Sequence, residues 1–328
     1  MLPLIAILLI AVVFAALSVG QFPIGPTQVL SLFWSALAGT PPSLSDTAAS
    51  LFWQVRVPRV FCALLVGCAL AAAGASLQSV FRNPLAAPDL LGVSAGAALG
   101  AVIGIFLEWG PLAIQLAAFG GGLGAVALVM LVGRWLPIHD RSLGLVLSGI
   151  AVGSMLGALV ALVKTLADPY RQLPAITFWL MGSFGSVTLN DLRMLAIGLV
   201  LSVAPLIVLR WRADALVLSD DEIRSIGIDA VRLRLLLIAC ATLAAALTVA
   251  AAGIIGWIGL VVPHAARLLV GARFSRLLPV AMLIGGLLML FIDTLARSLT
   301  AAEVPPGVLT ALIGGPVLFA LMVRGGRR

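Results

Sequence analysis

Long apolar runs alternate with short polar gaps along most of this chain. Each run is bounded by charge, proline or glycine and approaches the roughly 20 residues that a helix needs to cross a hydrocarbon core. Because lipid cannot hydrogen-bond an irregular backbone, runs of this length must be helical. The pattern predicts ten spans, centred on residues 3–19, 60–80, 90–107, 112–133, 143–164, 191–209, 234–252, 256–270, 279–297 and 307–323.

Three of the intervening segments are too long to be simple turns. Residues 21–56 contain prolines and tryptophans, and Ser45 followed by Asp46 predicts the start of a short helix there. Residues 167–190 enclose the apolar stretch 176–184, which is too short to span a bilayer and is expected to form a half-helix. Residues 214–232 form the one sizeable charged segment of the sequence.

The composition supports a membrane assignment. Of the 328 residues, 62% are hydrophobic and 10% are charged, whereas soluble domains are about 45–50% apolar and about 25% charged. In water the chain would expose large apolar patches, which argues against a soluble enzyme, a nucleic-acid-binding domain and a disulfide scaffold. We predict an all-α polytopic membrane protein whose residues 1–328 form a single transmembrane domain.

The net charge of +7 follows membrane topology and does not indicate a nucleic-acid partner. With both termini in the cytoplasm, fourteen of the 20 Lys and Arg residues fall on the inner side and six on the outer side, as the positive-inside rule favours. Residues 21–56 and 167–190 are then periplasmic, and 214–232 is cytoplasmic. The first apolar stretch has no basic residues before it, which favours a retained span over a cleaved signal peptide.

Glycines at four-residue spacing predict close helix packing. Such a row of glycines, here called a glycine ladder, leaves one helix face without side chains. A neighbouring helix can then approach closely in lipid. The ladders comprise Gly92, Gly96, Gly100 and Gly104; Gly149, Gly153 and Gly157; and Gly120 and Gly124.

The sequence holds no motif that would make the chain an enzyme. A Walker A loop needs glycines just before a Lys-Ser/Thr pair, but Lys164 and Thr165 follow an apolar run with Gly157 as its one glycine. Any ATP hydrolysis must therefore come from a separate subunit. Asp293 lies four residues before Arg297 on one helix face, which gives an ion-coupled carrier only weak support.

No cofactor or metal site is predicted. His264 near the end of the eighth span is better explained as a polar side chain bonded to a neighbouring loop than as a haem or metal ligand. The three cysteines lie within apolar runs, where a thiol acts as a small hydrophobe: Cys62, Cys68 and Cys240.

The charged segment is predicted to contain a helix of about two turns. Ser219 is a suitable N-cap, Ile223 and Ile226 share a face, and Gly227 is a natural stop. Two interpretations stay open at this point: a solvated connector, or a docking element for a soluble partner. Three acids occupy the first turn, where the helix dipole favours them: Asp220, Asp221 and Glu222.

Several short motifs follow one another along nearly the whole chain. In the first half they are Arg-Val-Pro-Arg-Val at 56–60, Gly67, Gly74, Gln78, Arg-Asn-Pro-Leu-Ala-Ala-Pro at 82–88, Leu-Gly at 91–92 and Gly-Ala at 96–97. In the second half they are Gly-Leu-Val-Val-Pro-His-Ala-Ala-Arg at 259–267, Arg-Leu-Leu-Pro at 276–279, Asp-Thr-Leu-Ala-Arg at 293–297, Pro-Pro-Gly at 305–307, Thr-Ala at 310–311 and Gly-Pro at 315–316. Together and in this order, these motifs resemble the FecCD/BtuC family, whose members are permease subunits of importers for ferric siderophores, haem and cobalamin.

This resemblance implies a type II ABC importer permease in a bacterial or archaeal inner membrane. The expected assembly is a homodimer with a central pathway, two cytoplasmic ABC ATPase subunits and a periplasmic substrate-binding protein. The family pattern also implies roles for individual residues: binding-protein docking by Arg56, Arg59 and Arg297; a cytoplasmic gate at Asn83, Leu85 and Ser142; and ATPase coupling by the 220–226 helix and Gly227.

The cargo is encoded less strongly than the fold. The stretch Trp-Leu-Met-Gly-Ser at 179–183 is more similar to iron-siderophore permeases than to cobalamin permeases. We therefore expect a ferric siderophore first, haem second and cobalamin third. An ion-coupled secondary transporter acting alone is the contrasting class.

Overall fold

A computed structural model of the chain describes residues 2–20, 24–40, 45–136, 141–300 and 302–325. Every regular element within these ranges is helical. A π-helical turn at Phe52–Arg56 and two 3-10 turns at Pro88–Leu91 and Asp214–Val217 join the α-helices. The α-helices are α1 (Leu2–Ser18), α2 (Pro26–Ala38), α3 (Asp46–Leu51), α4 (Val57–Val80), α5 (Val93–Phe106), α6 (Pro111–Trp135), α7 (Arg141–Leu166), α8 (Gln172–Met181), α9 (Leu189–Val208), α10 (Arg210–Ala213), α11 (Asp220–Ser225), α12 (Ala230–Ala252), α13 (Ile258–Val270), α14 (Phe274–Ala296) and α15 (Pro306–Gly325).

Each predicted span coincides with one of these helices. Four of the apolar helices, α1, α5, α13 and α15, are short for a full crossing. Six helical runs in the described residues are long and apolar enough to cross a membrane: Asp46–Val80, Pro111–Trp135, Leu143–Leu166, Leu189–Val208, Ala230–Ala252 and Phe274–Ala296. The all-helical class is confirmed, and the number of crossings stays a prediction.

Helix α4 lies at the centre of the bundle. It continues the run that begins at Asp46, and most of its residues are small and buried. It crosses α14 where Gly67 meets Gly285, and α13 where Gly74 meets Gly259. At both crossings the two backbones are in direct contact, so α4, α13 and α14 form one tightly packed unit.

The glycine ladders are confirmed in part. In α5, Gly96 lies against Gly121 and Gly100 lies against Ala117, as close packing requires. The expected contact faces of the other two ladders are largely wrong for contacts within the chain. Among the described residues, no atom lies within 4 Å of a Cβ added at Gly120, Gly124, Gly153 or Gly157. In α6 the packed glycines include Gly121 and Gly122, of which Gly121 is one residue and about 100° around the helix from Gly120.

The segment 21–56 is more helical than its sequence suggested. Helix α2 was not predicted, although Pro26 at its first position and Gly39 at its end are typical boundary signals. Its buried residues are Val29 and Leu32, and it packs beside α1. The short helix after Ser45 is confirmed as α3, but it runs on through Phe52–Arg56 into α4 without a loop.

The other two long segments also contain helices. The half-helix in 167–190 is confirmed as α8, which starts at Gln172 rather than near 176. The charged segment 214–232 contains a 3-10 turn and α11. Helix α12 begins at Ala230, capped by the Asp229 side chain, so it overlaps the end of that segment and starts four residues before the predicted span.

The crossing of α4 and α13 gives a first testable prediction. A Cβ on Gly74 would lie 1.7 Å from the Gly259 carbonyl oxygen, so Gly74→Ala must push two backbones apart. We expect a loss of about 1–3 kcal/mol, the usual cost of overpacking. Thermal unfolding of the purified protein in detergent measures it.

Gly120→Ala is the matched control, because the same methyl group enters open space in another apolar helix. It should leave the unfolding midpoint unchanged or slightly raised, since alanine favours helix. Equal midpoints for the two variants would contradict the packing described here.

Candidate functional site

Polar side chains gather at the two opposite ends of α4. At the end near Val57 they form the Arg59 cluster, which we define as Arg59, Asp293, Arg297 and Glu303. At the end near Val80 lie the loop that follows α4 and the segment that contains α11. The fold thus separates the predicted docking residues from Asn83, Leu85 and α11, and it places the loop that holds Asn83 and Leu85 beside the segment that holds α11.

The Arg59 cluster is a buried network of opposite charges. Arg59 Nε donates to Asp293 Oδ1 at 2.9 Å, and Arg59 Nη1 donates to the two Glu303 carboxylate oxygens at 2.7 and 2.9 Å. Arg297 Nε lies 3.4 Å from Asp293 Oδ2. Asp293 is fully buried and Glu303 is partly exposed. Two arginines and two acids therefore balance each other where solvation is poor.

Two of the three predicted docking residues are buried in this conformation. Arg59 and Arg297 are only 6% and 5% exposed, and each faces a carboxylate of its own chain. Arg297 Nη2 also donates to the Ala16 carbonyl, which ties α14 to α1. In this conformation neither side chain is presented to a partner, because folding has already buried and neutralised both charges. Their direct docking role stays an untested prediction that would require the cluster to open.

Arg56 is placed differently from the other two arginines. It is half-buried, and its Nη1 donates to the carbonyl oxygens of Leu17 at 2.9 Å and Ser18 at 3.4 Å. Of the three predicted docking residues, Arg56 is therefore the least buried, and only partial opening would expose its side chain to an acidic partner.

Helix α11 has the predicted start and stop. The Ser219 hydroxyl accepts from the Glu222 amide, while the Ser219 amide and hydroxyl both donate to the Glu222 carboxylate, which completes a capping box. The Ser219 backbone and hydroxyl bonds lower the pKa of Glu222, so the cap stays ionised in mildly acidic solution. Gly227 ends the helix at φ +78°.

The two isoleucines of this segment have different surroundings. Ile223 is fully buried, whereas Ile226 is 56% exposed because it falls on the C-cap, where the helix has ended. Their three-residue spacing predicted a shared helix face, but of the two side chains Ile223 alone is buried. Asp221 is almost fully exposed and lies 3.9 Å from Arg224. The Asp220 side chain lies outside the described part of the structure. Helix α11 is held by Ile223 and presents Asp221 and Ile226 outward.

The predicted gate residues lie on an irregular loop between α4 and α5. Asn83 Oδ1 accepts from the Leu85 amide at 2.9 Å, so the asparagine side chain shapes the loop. Leu85 is exposed, and with Asp89 and Trp257 it lines a cavity of about 250 Å³. The Ser142 side chain, predicted as the second half of the gate, lies outside the described residues.

His264 does not have the expected hydrogen bond. Neither ring nitrogen has a hydrogen-bond partner among the described residues, although both atoms are buried. The prediction that a neighbouring loop satisfies this side chain is therefore wrong for the described part of the chain.

One residue of this region was missed from sequence. Glu303 completes the Arg59 cluster from the connection between α14 and α15. Its signal was slight, a single acid two residues before a Pro-Pro-Gly stretch. Sequence spacing cannot reveal its partner, because Arg59 lies 244 positions away.

The whole arrangement matches a known family of membrane transport proteins. The chain fits the model of the FecCD transport family over residues 8–324. It belongs to this family. The molybdate import system permease protein MolB of Haemophilus influenzae is 37% identical over 327 residues, covering 98% of this chain and 96% of the relative. The hemin transport system permease protein HmuU of Yersinia pestis is 40% identical over 305 residues, covering 90% and 89%.

A solved structure agrees with this FecCD permease over almost its whole length. That structure, an inward-facing conformation described as a metal-chelate type ABC transporter, aligns with a TM-score of 0.86 at 35% identity and covers 98% of both chains. This FecCD chain is thus an ABC transporter permease with several apolar helices suited to a membrane.

The Arg59 cluster gives the second prediction. Arg59→Met removes the arginine that hydrogen-bonds both acids and leaves Asp293 with Arg297 as its remaining charged partner in the cluster. It should destabilise this FecCD permease by about 3–5 kcal/mol, the cost of breaking a buried ion pair. Arg171→Met is the control, because Arg171 and Glu108 form an exposed pair at 3.3 Å whose loss should cost about 0–1 kcal/mol. Thermal unfolding in detergent compares them, and a similar small loss for both would show that the cluster contributes little.

Proposed function

We propose that the chain is the transmembrane permease subunit of an ATP-driven importer, and that two copies form the pathway for a metal chelate. In this proposal the chain crosses a bacterial or archaeal inner membrane ten times with both termini in the cytoplasm. Energy comes from two separate ATPase subunits, and cargo comes from a periplasmic binding protein.

The observation that carries the proposal is the form of α11. A charged helix of six residues, closed at both ends by caps, stands out on a chain that is otherwise mainly apolar. Among the described side chains of α11, Ile223 is the one buried in the bundle, while Asp221 and Ile226 face outward. A carrier that works without a partner does not need a projecting charged helix. An ATPase subunit does need one, because it must bind a rigid element in its cleft in order to move the membrane helices.

The homodimer is supported by the face that α7 leaves open. Gly153 and Gly157 follow Gly149 at four-residue spacing, yet nothing in the described chain lies within 4 Å of a Cβ at either position. Small residues on a membrane helix suit close approach of another helix. A second copy of the chain would cover this face and enclose the pathway between the two subunits.

For the cargo we favour a ferric siderophore, with haem and cobalamin as alternatives. The relatives named above carry the names of different cargoes, molybdate and hemin, so family membership leaves the choice open. The cavity beside Leu85 is mainly apolar, and its charged lining residue is the acid Asp89. A carboxylate in this lining disfavours a small oxyanion such as molybdate. Uptake of radioactive iron as a siderophore complex, compared with molybdate, discriminates between these cargoes.

The coupling role of α11 is tested by reversing one exposed charge. Asp221→Arg should leave folding intact, because Asp221 takes no part in the capping box, but it should weaken ATPase binding and raise the ATP hydrolysed per cargo. Pull-down of the ATPase subunit and the ratio of hydrolysis to uptake are the measurements.

Asp46→Arg provides a matched control. Asp46 opens α3, another six-residue helix with a serine N-cap, at the opposite end of the long helical run. It should leave both ATPase binding and the hydrolysis ratio unchanged. If Asp221→Arg also had no effect, the coupling role of α11 would have to be abandoned.

The docking role of Arg56 is tested by reversing its charge, at the end of α4 opposite to α11. Arg56→Glu should slow association with the binding protein and reduce affinity most at low salt, because steering by opposite charges is screened by ions. Arg193→Glu, at an exposed arginine near the start of α9, is the control. The measurement is the association rate and affinity of each variant for the binding protein at two salt concentrations. Equal effects of the two variants would indicate a general charge effect and remove Arg56 from the docking site.

A further inference from the structure

Arg82 connects the loop after α4 to the segment that carries α11. Its Nε donates to the Leu216 carbonyl oxygen at 2.9 Å, and its Nη2 donates to the Leu218 carbonyl oxygen. Leu218 lies immediately before Ser219, the N-cap of α11, and Arg82 lies immediately before Asn83. One side chain thus spans the gap between the predicted gate and the predicted coupling helix.

The backbone of Arg82 adopts a left-handed conformation that is unfavourable for a residue with a side chain. The Asn83 amide donates to the Gln78 carbonyl at 3.2 Å, the bond that closes a Schellman motif at the end of α4. Arg82 occupies the left-handed position of that motif at φ +49°, where glycine is the usual residue. Glycine would end the helix with less strain, but it could not reach Leu216 or Leu218.

The α11 segment has a second polar attachment that does not involve Arg82. Asp214 accepts from the Ser275 amide at 2.9 Å and from the Ser275 hydroxyl at 2.6 Å. This pair fastens the segment to the first turn of α14, and the buried side chains of Leu216 and Ile223 add apolar contacts. Loss of Arg82 would therefore leave α11 attached to the bundle and separate it only from the gate loop.

We propose that Arg82 is a positioning residue that makes the gate loop move with α11 when the ATPase subunits close. A guanidinium suits this role because its planar fork holds two carbonyl groups in a fixed relation. A pull on α11 then reaches Asn83 and Leu85 through one rigid contact. This inference rests on the proposed function, because it assumes that an ATPase moves α11.

The test follows two distances within one chain of the assembled transporter. Nitroxide labels replace Arg224 on α11 and Leu85 on the gate loop, and a second pair joins Arg224 to Trp135 at the end of α6, in a background with the native cysteines changed to alanine. All three labelled positions are exposed. Pulsed electron resonance is recorded without nucleotide and with ATP and vanadate.

In the parent protein the distance from Arg224 to Trp135 should change with nucleotide, while that from Arg224 to Leu85 stays constant. In Arg82→Gly the first change should persist and the second distance should shift as well, because α11 then moves without the loop. Since glycine is favoured at this backbone position, the variant should fold normally. Arg82→Lys, which keeps the charge but loses the fork, should give the same shift to a smaller extent.

The outcomes separate the two proposals. If nucleotide leaves the distance from Arg224 to Trp135 unchanged in the parent, α11 is not driven and the proposed function fails. If α11 moves, the role of Arg82 is overturned by either of two results: a distance from Arg224 to Leu85 that already shifts in the parent, or one that stays constant in both Arg82 variants. Unfolding midpoints of the variants check that any shift does not come from local unfolding.

Discussion

The structure depends on direct backbone contact between α4 and its neighbours. Where Gly67 meets Gly285 and Gly74 meets Gly259, the helices approach until no side chain fits between them. In lipid the hydrophobic effect does not drive helices together. Close van der Waals contact between the backbones stabilises the bundle instead. Such crossings tolerate little internal rearrangement, so α4, α13 and α14 are expected to move as one body. The parts that can change are the connections at the two ends of α4.

The two ends of α4 differ in how deeply their charged side chains are buried. At one end, Arg59 and Asp293 are buried with their partners, which fixes α4, α14 and the α14–α15 connection in one arrangement. At the other end, the contacts of Arg82 and Asp214 are partly exposed and join separate segments across the surface. The first arrangement favours rigidity, since breaking it would strand a buried charge. The second can transmit a displacement without unfolding anything.

The helices of this fold were predictable because lipid leaves an apolar run no alternative to helix. Helix α2 was not predicted because it is short and mixes polar with apolar residues. Only the residues at its boundaries indicate a helix. Glycine spacing indicated that helices pack closely, but it could not choose between Gly120 and Gly121, whose directions differ by about 100°. The N-cap and stop of α11 are local features and were found. The burial of Arg59 was not, because its partner Asp293 lies 234 positions away.

The central claim is that this chain is a conduit without an energy source of its own, moved by a partner that hydrolyses ATP. The most direct measurement is accumulation of a ferric siderophore complex by vesicles that contain the permease and external binding protein, with and without the ATPase subunit. We expect accumulation above the external concentration only when both the ATPase subunit and ATP are present. Uphill accumulation by the permease without its ATPase, driven by an ion gradient, would contradict the account.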